Sequence, residues 1–231
     1  MRTLIALLAL GIAGTATATP YVNLNWDGCE GPTARSSAPR NRLSLYATVK
    51  GMDAASKGFH IRIFLRPIGN YVPDAWRFDA SGCQSGAMTF HWNQEAPSCP
   101  TLAGGLQSVQ ISDYALDVDW NRWRIVFADA YPFGNTVPNP NVRYQMVRID
   151  MDLANTKVGD SADGVCGGVE VPMCFYLYKC EWATMDIVET PFVVSNDWLT
   201  VNDPGYYAAC FSAVTPAPAA TWGAIKAQYR R

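Results

Sequence analysis

Histidine is nearly missing from this chain: two residues, His60 and His91, among 231. A serine or cysteine nucleophile would have to draw its base from one of these two. His60 alternates with arginines on the polar side of a strand pattern and reads as a surface residue. His91 stands next to Trp92, ahead of a loop-like stretch. G-x-S-x-G, H-E-x-x-H and C-x-x-C are absent as well. A nucleophile elbow, a zincin site and a compact zinc-thiolate site therefore lack sequence support. Charge is sparse, at 16% of residues, and the formal net charge is only −2. Nucleic-acid binding asks for a basic domain or stripe, which a net charge of this size does not suggest. No apolar run approaches the ~20 residues that a membrane-spanning helix requires.

What is present begins with an export pattern. Arg2 provides a positive start, Leu4 to Ala13 an apolar stretch, and Ala16-Thr17-Ala18 small residues for cleavage. Residues 1–18 are thus expected to be a cleaved signal peptide, leaving a mature chain from Thr19. Loss of Arg2 takes the formal charge from −2 to −3. The first cysteine is Cys29, away from the cleavage point, which argues against lipid modification there. The expected location is outside the cell or at its surface.

The seven cysteines all lie in the mature part. An oxidising compartment favours disulfides among them over metal thiolates. Cys166, Cys174 and Cys180 are separated by seven and five residues, which is not a zinc spacing. Short loops favour Cys83–Cys99, Cys166–Cys174 and Cys180–Cys210, with Cys29 left over.

Alternation of period two dominates the body. In GFHIRIFLRP, Phe59, Ile61, Ile63 and Leu65 share one face, with His60, Arg62 and Arg66 opposite. NRWRIVFADA repeats the pattern with Trp123, Ile125 and Phe127 inward. In NVRYQMVRIDMDL the apolar side switches between Tyr144/Met146 and Val147/Ile149/Met151, which predicts either a bulge near Met146-Val147 or a strand that changes sheets. Further strands are expected at Tyr21–Trp26, Leu43–Val49, Leu106–Ile111, Met173–Tyr178, Ala183–Val188 and Tyr206–Phe211. Many short strands without intervening helices predict an all-β fold, a two-sheet antiparallel sandwich of jelly-roll-like or cohesin-like type. The expected division is a sandwich over 19–214, a Pro/Ala linker over 215–220 and a tail over 221–231.

Three features bear on chemistry. Asp117/Asp119 and Asp150/Asp152 form D-x-D pairs, and two residues of strand separate carboxylates by roughly 6.8 Å. That matches an inverting glycosidase, yet an alternating solvent face is the favoured reading of both pairs, because each Asp alternates with an apolar residue in the ordinary way. GDSADGVCGGVE resembles a calcium loop only in part. With Gly164 in the sixth position, Glu170 falls twelfth, but Gly159 and Ser161 stand where oxygen ligands belong. A Gly-rich turn holding a disulfide accounts for it, so no metal or cofactor is expected. Aromatics are abundant, with eight Trp and eleven Tyr. Trp26, Trp76, Trp120, Trp182 and Trp198 fall near strand ends, and Trp76, Trp120, Trp182 and Trp198 are the candidate binding residues. Such rings anchor cores and loops, or offer a platform for sugars.

Trp26/Cys29, Cys166/Pro172/Cys174 and the closing TWGAIKAQYR resemble a group of uncharacterised exported bacterial proteins. That group has no assigned activity to transfer. The middle segment also resembles the later strands of cohesin-like sandwiches. Within the tail, Trp222, Ile225 and Tyr229 share one helical face flanked by Lys226 and Arg230. Eleven residues are too few for a stable isolated helix. The tail is therefore expected to dock on export machinery, a membrane surface or its own sandwich. Together these features predict a non-catalytic exported protein that binds a protein or a glycan, with a sorting or anchoring tail. A carbohydrate-binding module is the first alternative and a small secreted hydrolase the second.

Overall fold

The computed structural model describes residues 20–29, 36–37, 41–52, 58–67, 72–91, 100–102, 109–110, 115–117, 122–130, 138–183, 189–191, 193–196, 198–203 and 210. They form two facing sheets and a small ribbon. The first sheet has five strands, in the order β14 (Val193–Asn196), β1 (Tyr21–Trp26), β3 (Arg42–Lys50), β9 (Arg143–Asp152) and β5 (Met88–His91). The second runs β2 (Ser36–Ser37), β15 (Trp198–Val201), β12 (Met173–Ala183), β4 (Gly58–Pro67), β8 (Arg122–Ala130) and β6 (Val109–Gln110). β13 (Glu189–Pro191) pairs with β12, and β7 (Ala115–Asp117) with β8, completing eight strands. β10 (Thr156–Lys157) and β11 (Cys166–Gly167) form the ribbon. Most pairings are antiparallel, with β1–β14, β2–β15 and β10–β11 parallel. The protein is an all-β two-sheet sandwich, as the alternation predicts.

Alternation fills the space between the sheets. Leu43, Leu45, Ala47 and Val49 of β3 and Val147, Ile149 and Met151 of β9 are buried from one side. Phe59, Ile61, Ile63 and Leu65 of β4, with Met173 and Phe175 of β12, are buried from the other. Trp26 joins the two layers. Its ring meets Phe175 edge-on at 5.3 Å, and its indole N–H donates to the Thr200 carbonyl of β15 at 3.2 Å. Trp76, on a single 3-10 turn at Asp74–Trp76, reaches Phe175 from another side at 6.1 Å.

Three long strands change which parity faces the core, and each does so at a bulge. In β9 the register slips opposite Ala47–Thr48, so Met146 is the extra residue, where the alternation predicts it. In β12 the slip falls between Leu177 and Lys179, making Tyr178 the extra residue. In β8 it falls at Ile125, between Val126 and Arg124. The regular alternation expected through Trp123, Ile125 and Phe127 is therefore interrupted in register at Ile125. Trp123 pairs with core-facing Leu65, but Phe127 pairs with Arg62 of the polar row.

The disulfides differ from the short-loop expectation. Cys83 bonds Cys166 across 83 residues of sequence, and Cys174 bonds Cys210 across 36. Cys83–Cys99, Cys166–Cys174 and Cys180–Cys210 are therefore not formed. Cys29 is disulfide-bonded, with its partner outside the described residues. Among the described residues the free thiol is Cys180, buried in the core. Loop length does not decide pairing once strands are placed: Cys174 faces outward from β12, whereas the bulge turns Cys180 inward. Cys210, the one described residue of the strand expected at Tyr206–Phe211, has helical backbone. The segments expected as signal peptide, linker and tail lie outside the described residues, as does most of Leu106–Ile111. Ala183 ends β12, and the rest of the strand expected at Ala183–Val188 is also outside them.

Non-reducing peptide mapping is expected to recover Cys83 linked to Cys166 and Cys174 linked to Cys210. Cys180 should react with a thiol reagent only after denaturation, because burial and the nearby Glu181 charge push its pKa well up. Phe175→Ala should cost about 3–5 kcal/mol in chemical denaturation, since it empties the space between Trp26 and Trp76.

Candidate functional site

The most exposed aromatic side chain among the described residues, Tyr178, lies on the outer face of the eight-stranded sheet. Phe64 of β4 stacks on Tyr176 of β12 at 5.7 Å and 24°, and meets Tyr178 edge-on at 5.0 Å and 88°. Trp198 and the Cys174–Cys210 disulfide pack against Phe64 and Tyr176. All of these are buried except Tyr178, which is 50% exposed. Among the described residues only Val158 is a comparably exposed large apolar side chain. The cause is local: the bulge frees Tyr178 from the inward–outward alternation and lays its ring against Phe64. The β8 slip at Ile125 falls on the other flank of the same stretch of β4. Bulges commonly re-aim side chains at functional edges. His60, Arg62 and Arg66 share this outer row of β4 and are half-buried. Arg62 Nε–H donates to His60 Nε2 at 3.1 Å.

A second polar group sits on the outer face of the five-stranded sheet. Asp150 is 5% exposed. Ser44 donates its hydroxyl to one carboxylate oxygen at 2.6 Å, and Arg42 donates to the other at 2.6 Å. His91 Nε2 stands 2.9 Å from that second oxygen, and Arg148 3.4 Å. Burial raises the Asp150 pKa. The Ser44 and Arg42 hydrogen bonds and the charges of Arg148 and Arg42 outweigh it, and the net shift is downward. The site thus holds a fixed anion. A nucleophilic serine needs its histidine within hydrogen-bond reach. Here Ser44 instead gives its proton to Asp150, and the imidazole meets the far oxygen. A glycosidase acid needs a raised pKa, the opposite direction. Asp152 is exposed and accepts the Ala154 N–H at 2.9 Å, closing a turn.

The calcium-like loop closes on itself. Glu170 accepts the Gly159 N–H at 3.1 Å. Ser161 Oγ donates to Asp74 at 2.6 Å and accepts the Gly167 N–H at 2.9 Å. A side chain at Gly167 would lie 2.2 Å from the Gly159 carbonyl, so glycine is required there. A cavity of about 180 Å³ lies over this turn, lined by Asp74, Asp160, Ser161 and Glu170 among others. Among the described residues no three His, Cys, Asp or Glu side chains converge as metal ligands.

The tryptophan candidates fall apart as a group. Trp76 is fully buried and Trp198 is 4% exposed, so neither can stack on a sugar. Both serve packing. Trp182 is half-buried against the core. Trp120 lies outside the described residues, as do Asp119 and the tail residues Trp222, Ile225, Lys226, Tyr229 and Arg230. Sequence reasoning missed Tyr178, whose one signal is the break in alternation along CFYLYKCEW.

No family model matches the chain. No curated protein matches it either. Solved structures of similar shape are cohesins and a pilin. A cohesin module of a family 33 glycoside hydrolase from Clostridium perfringens matches 80% of this chain and 97% of its own, at 8% identity and TM-score 0.38. A type II cohesin from the cellulosome of Acetivibrio cellulolyticus matches 80% and 95%, at 10% identity and TM-score 0.40. The major pilin subunit of Bacillus cereus matches 79% and 40%, at 8% identity and TM-score 0.37.

Asp150→Asn should destabilise the protein by on the order of 1–3 kcal/mol, because Ser44, Arg42 and Arg148 lose the buried carboxylate they face. A lowered folded-state pKa gives stability that is present above the ordinary value of 3.8 and lost as pH falls through the folded value. Denaturation midpoints followed into acid should therefore fall for the wild type and flatten in Asp150→Asn.

Proposed function

We propose that this chain is an exported, non-catalytic binding protein that engages a protein partner through the outer face of its eight-stranded sheet. One observation carries the proposal: Tyr178, half exposed, is raised by a bulge onto a buried aromatic base of Phe64 and Tyr176. A rigid aromatic on packed support is the usual form of an interface anchor, because little side-chain freedom is lost on contact. Disulfide bonding supports an oxidising location outside the cytosol. The non-catalytic reading draws on Asp150, Ser44 and His91, whose polar atoms face one another in a structural cluster. In this reading the tail, Thr221–Arg231, acts in delivery or anchoring.

A glycan is the alternative ligand, since an exposed tyrosine ring also stacks on sugars. The two separate in one experiment. A photo-crosslinking amino acid placed at Tyr178 should capture a discrete protein in the native extracellular fraction, and the same group at Val158 should not. Equal capture from both positions, or glycan retention lost in Tyr178→Ala, would overturn the protein-partner reading. Removal of Thr221–Arg231 should move the protein from its native location without altering its melting temperature. Unchanged location would remove the tail from the account.

A further inference from the structure

Resting on the protein-partner reading, we infer that the partner presents an acidic extended segment with a central apolar residue. Along the outer row of β4 the order is His60, Arg62, Phe64, Arg66, and none of the four lies at a bulge of its own strand. Arg62 and Arg66 are four residues apart, or roughly 13 Å along the strand. Phe64 lies midway between them, and Tyr178 lies against it. The row therefore reads cation, aromatic, cation. Glu181, the described acidic register partner, falls opposite His60 at one end of the row.

This local sign opposes that of the whole chain, whose net charge is −2. It also selects among occupants. The chain leaves the described residues at Cys210, tied to Cys174 beside this face, so its own tail starts nearby. The ten residues from Phe211 to Ala220 could extend about 33 Å, enough to bring the tail across. But that tail carries Lys226, Arg230 and Arg231. Like charges would meet Arg62 and Arg66, which disfavours the tail and favours an acidic partner.

The geometry fixes a pattern. In an extended segment, residues i, i+2 and i+4 share a face and span about 13 Å. Carboxylates at i and i+4 would meet Arg62 and Arg66, with an apolar residue at i+2 on Tyr178. Polar rim charges of this kind set register and partner choice more than raw affinity.

The test uses two synthetic peptides, ESFSE and KSFSK, each flanked by Gly-Ser and titrated into the isotopically labelled full chain by NMR. ESFSE should bind at least tenfold more tightly than KSFSK, and its shifts should centre on Tyr178 and Arg66. Raising salt from about 50 to 500 mM should weaken it, within the range where surface charges are screened. Arg66→Glu should reverse the preference. Arg66→Gln, a milder change, should abolish it, and amide spectra report whether either variant is folded. Equal binding of the two peptides, or no binding of either at millimolar concentration, overturns the acidic segment. Tyr178 crosslinking in the native fraction is independent of that outcome and still judges the face itself. Arg66-dependent binding of polygalacturonate oligomers without ESFSE binding would also overturn it, in favour of an acidic glycan.

Discussion

The β4–β12 ladder has to keep core residues facing the core on both sides of a change in parity. On β12 the inward positions are Met173, Phe175 and Leu177, then Cys180 and Trp182. Odd numbers give way to even ones, and an antiparallel ladder can absorb that only by a one-residue slip. The extra residue is Tyr178. Were it paired in a regular ladder instead of bulged, either Phe175 would leave its place between Trp26 and Trp76, or Cys180 and Trp182 would turn to solvent. Inter-sheet packing and the exposed aromatic are therefore consequences of one backbone event. The large sheet keeps a continuous core beneath and gains a protruding ring above.

The two outer faces divide the polar work. On the five-stranded sheet, Asp150 holds Arg42, Ser44, His91 and Arg148 together, and so ties β3, β9 and β5 across three strands. A charge so enclosed does not act as a proton donor at neutral pH, and its partners are committed to it. The eight-stranded sheet carries its cations in a half-buried row beside Tyr178. One face is consolidated around Asp150, and the other exposes Tyr178. The calcium-like loop falls on the consolidated side of this division, because its oxygens satisfy its own backbone.

Much of the fold is legible in the sequence because alternation is a local signal. GFHIRIFLRP is β4 residue for residue, and the face change in NVRYQMVRIDMDL marks the Met146 bulge. The same kind of break in CFYLYKCEW reads as the end of a strand at Tyr178, though β12 runs on to Ala183. The β9 break sits between two apolar runs, whereas β12 resumes through Lys179 and Glu181, which mask its apolar side. Trp76 and Trp198 illustrate another limit: a ring next to polar residues in sequence can still be enclosed by distant strands. Disulfide pairing was least legible, because Cys83–Cys166 joins segments that only the folded sandwich brings together.

The sharpest measurement is on a chain from which Tyr178 alone is deleted. Joining Leu177 directly to Lys179 restores regular alternation, with Leu177 and Cys180 still inward. If the bulge exists to present Tyr178, the deletion should leave the denaturation midpoint unchanged or raised while partner binding is lost. Marked destabilisation, or binding that survives the deletion, would contradict the account.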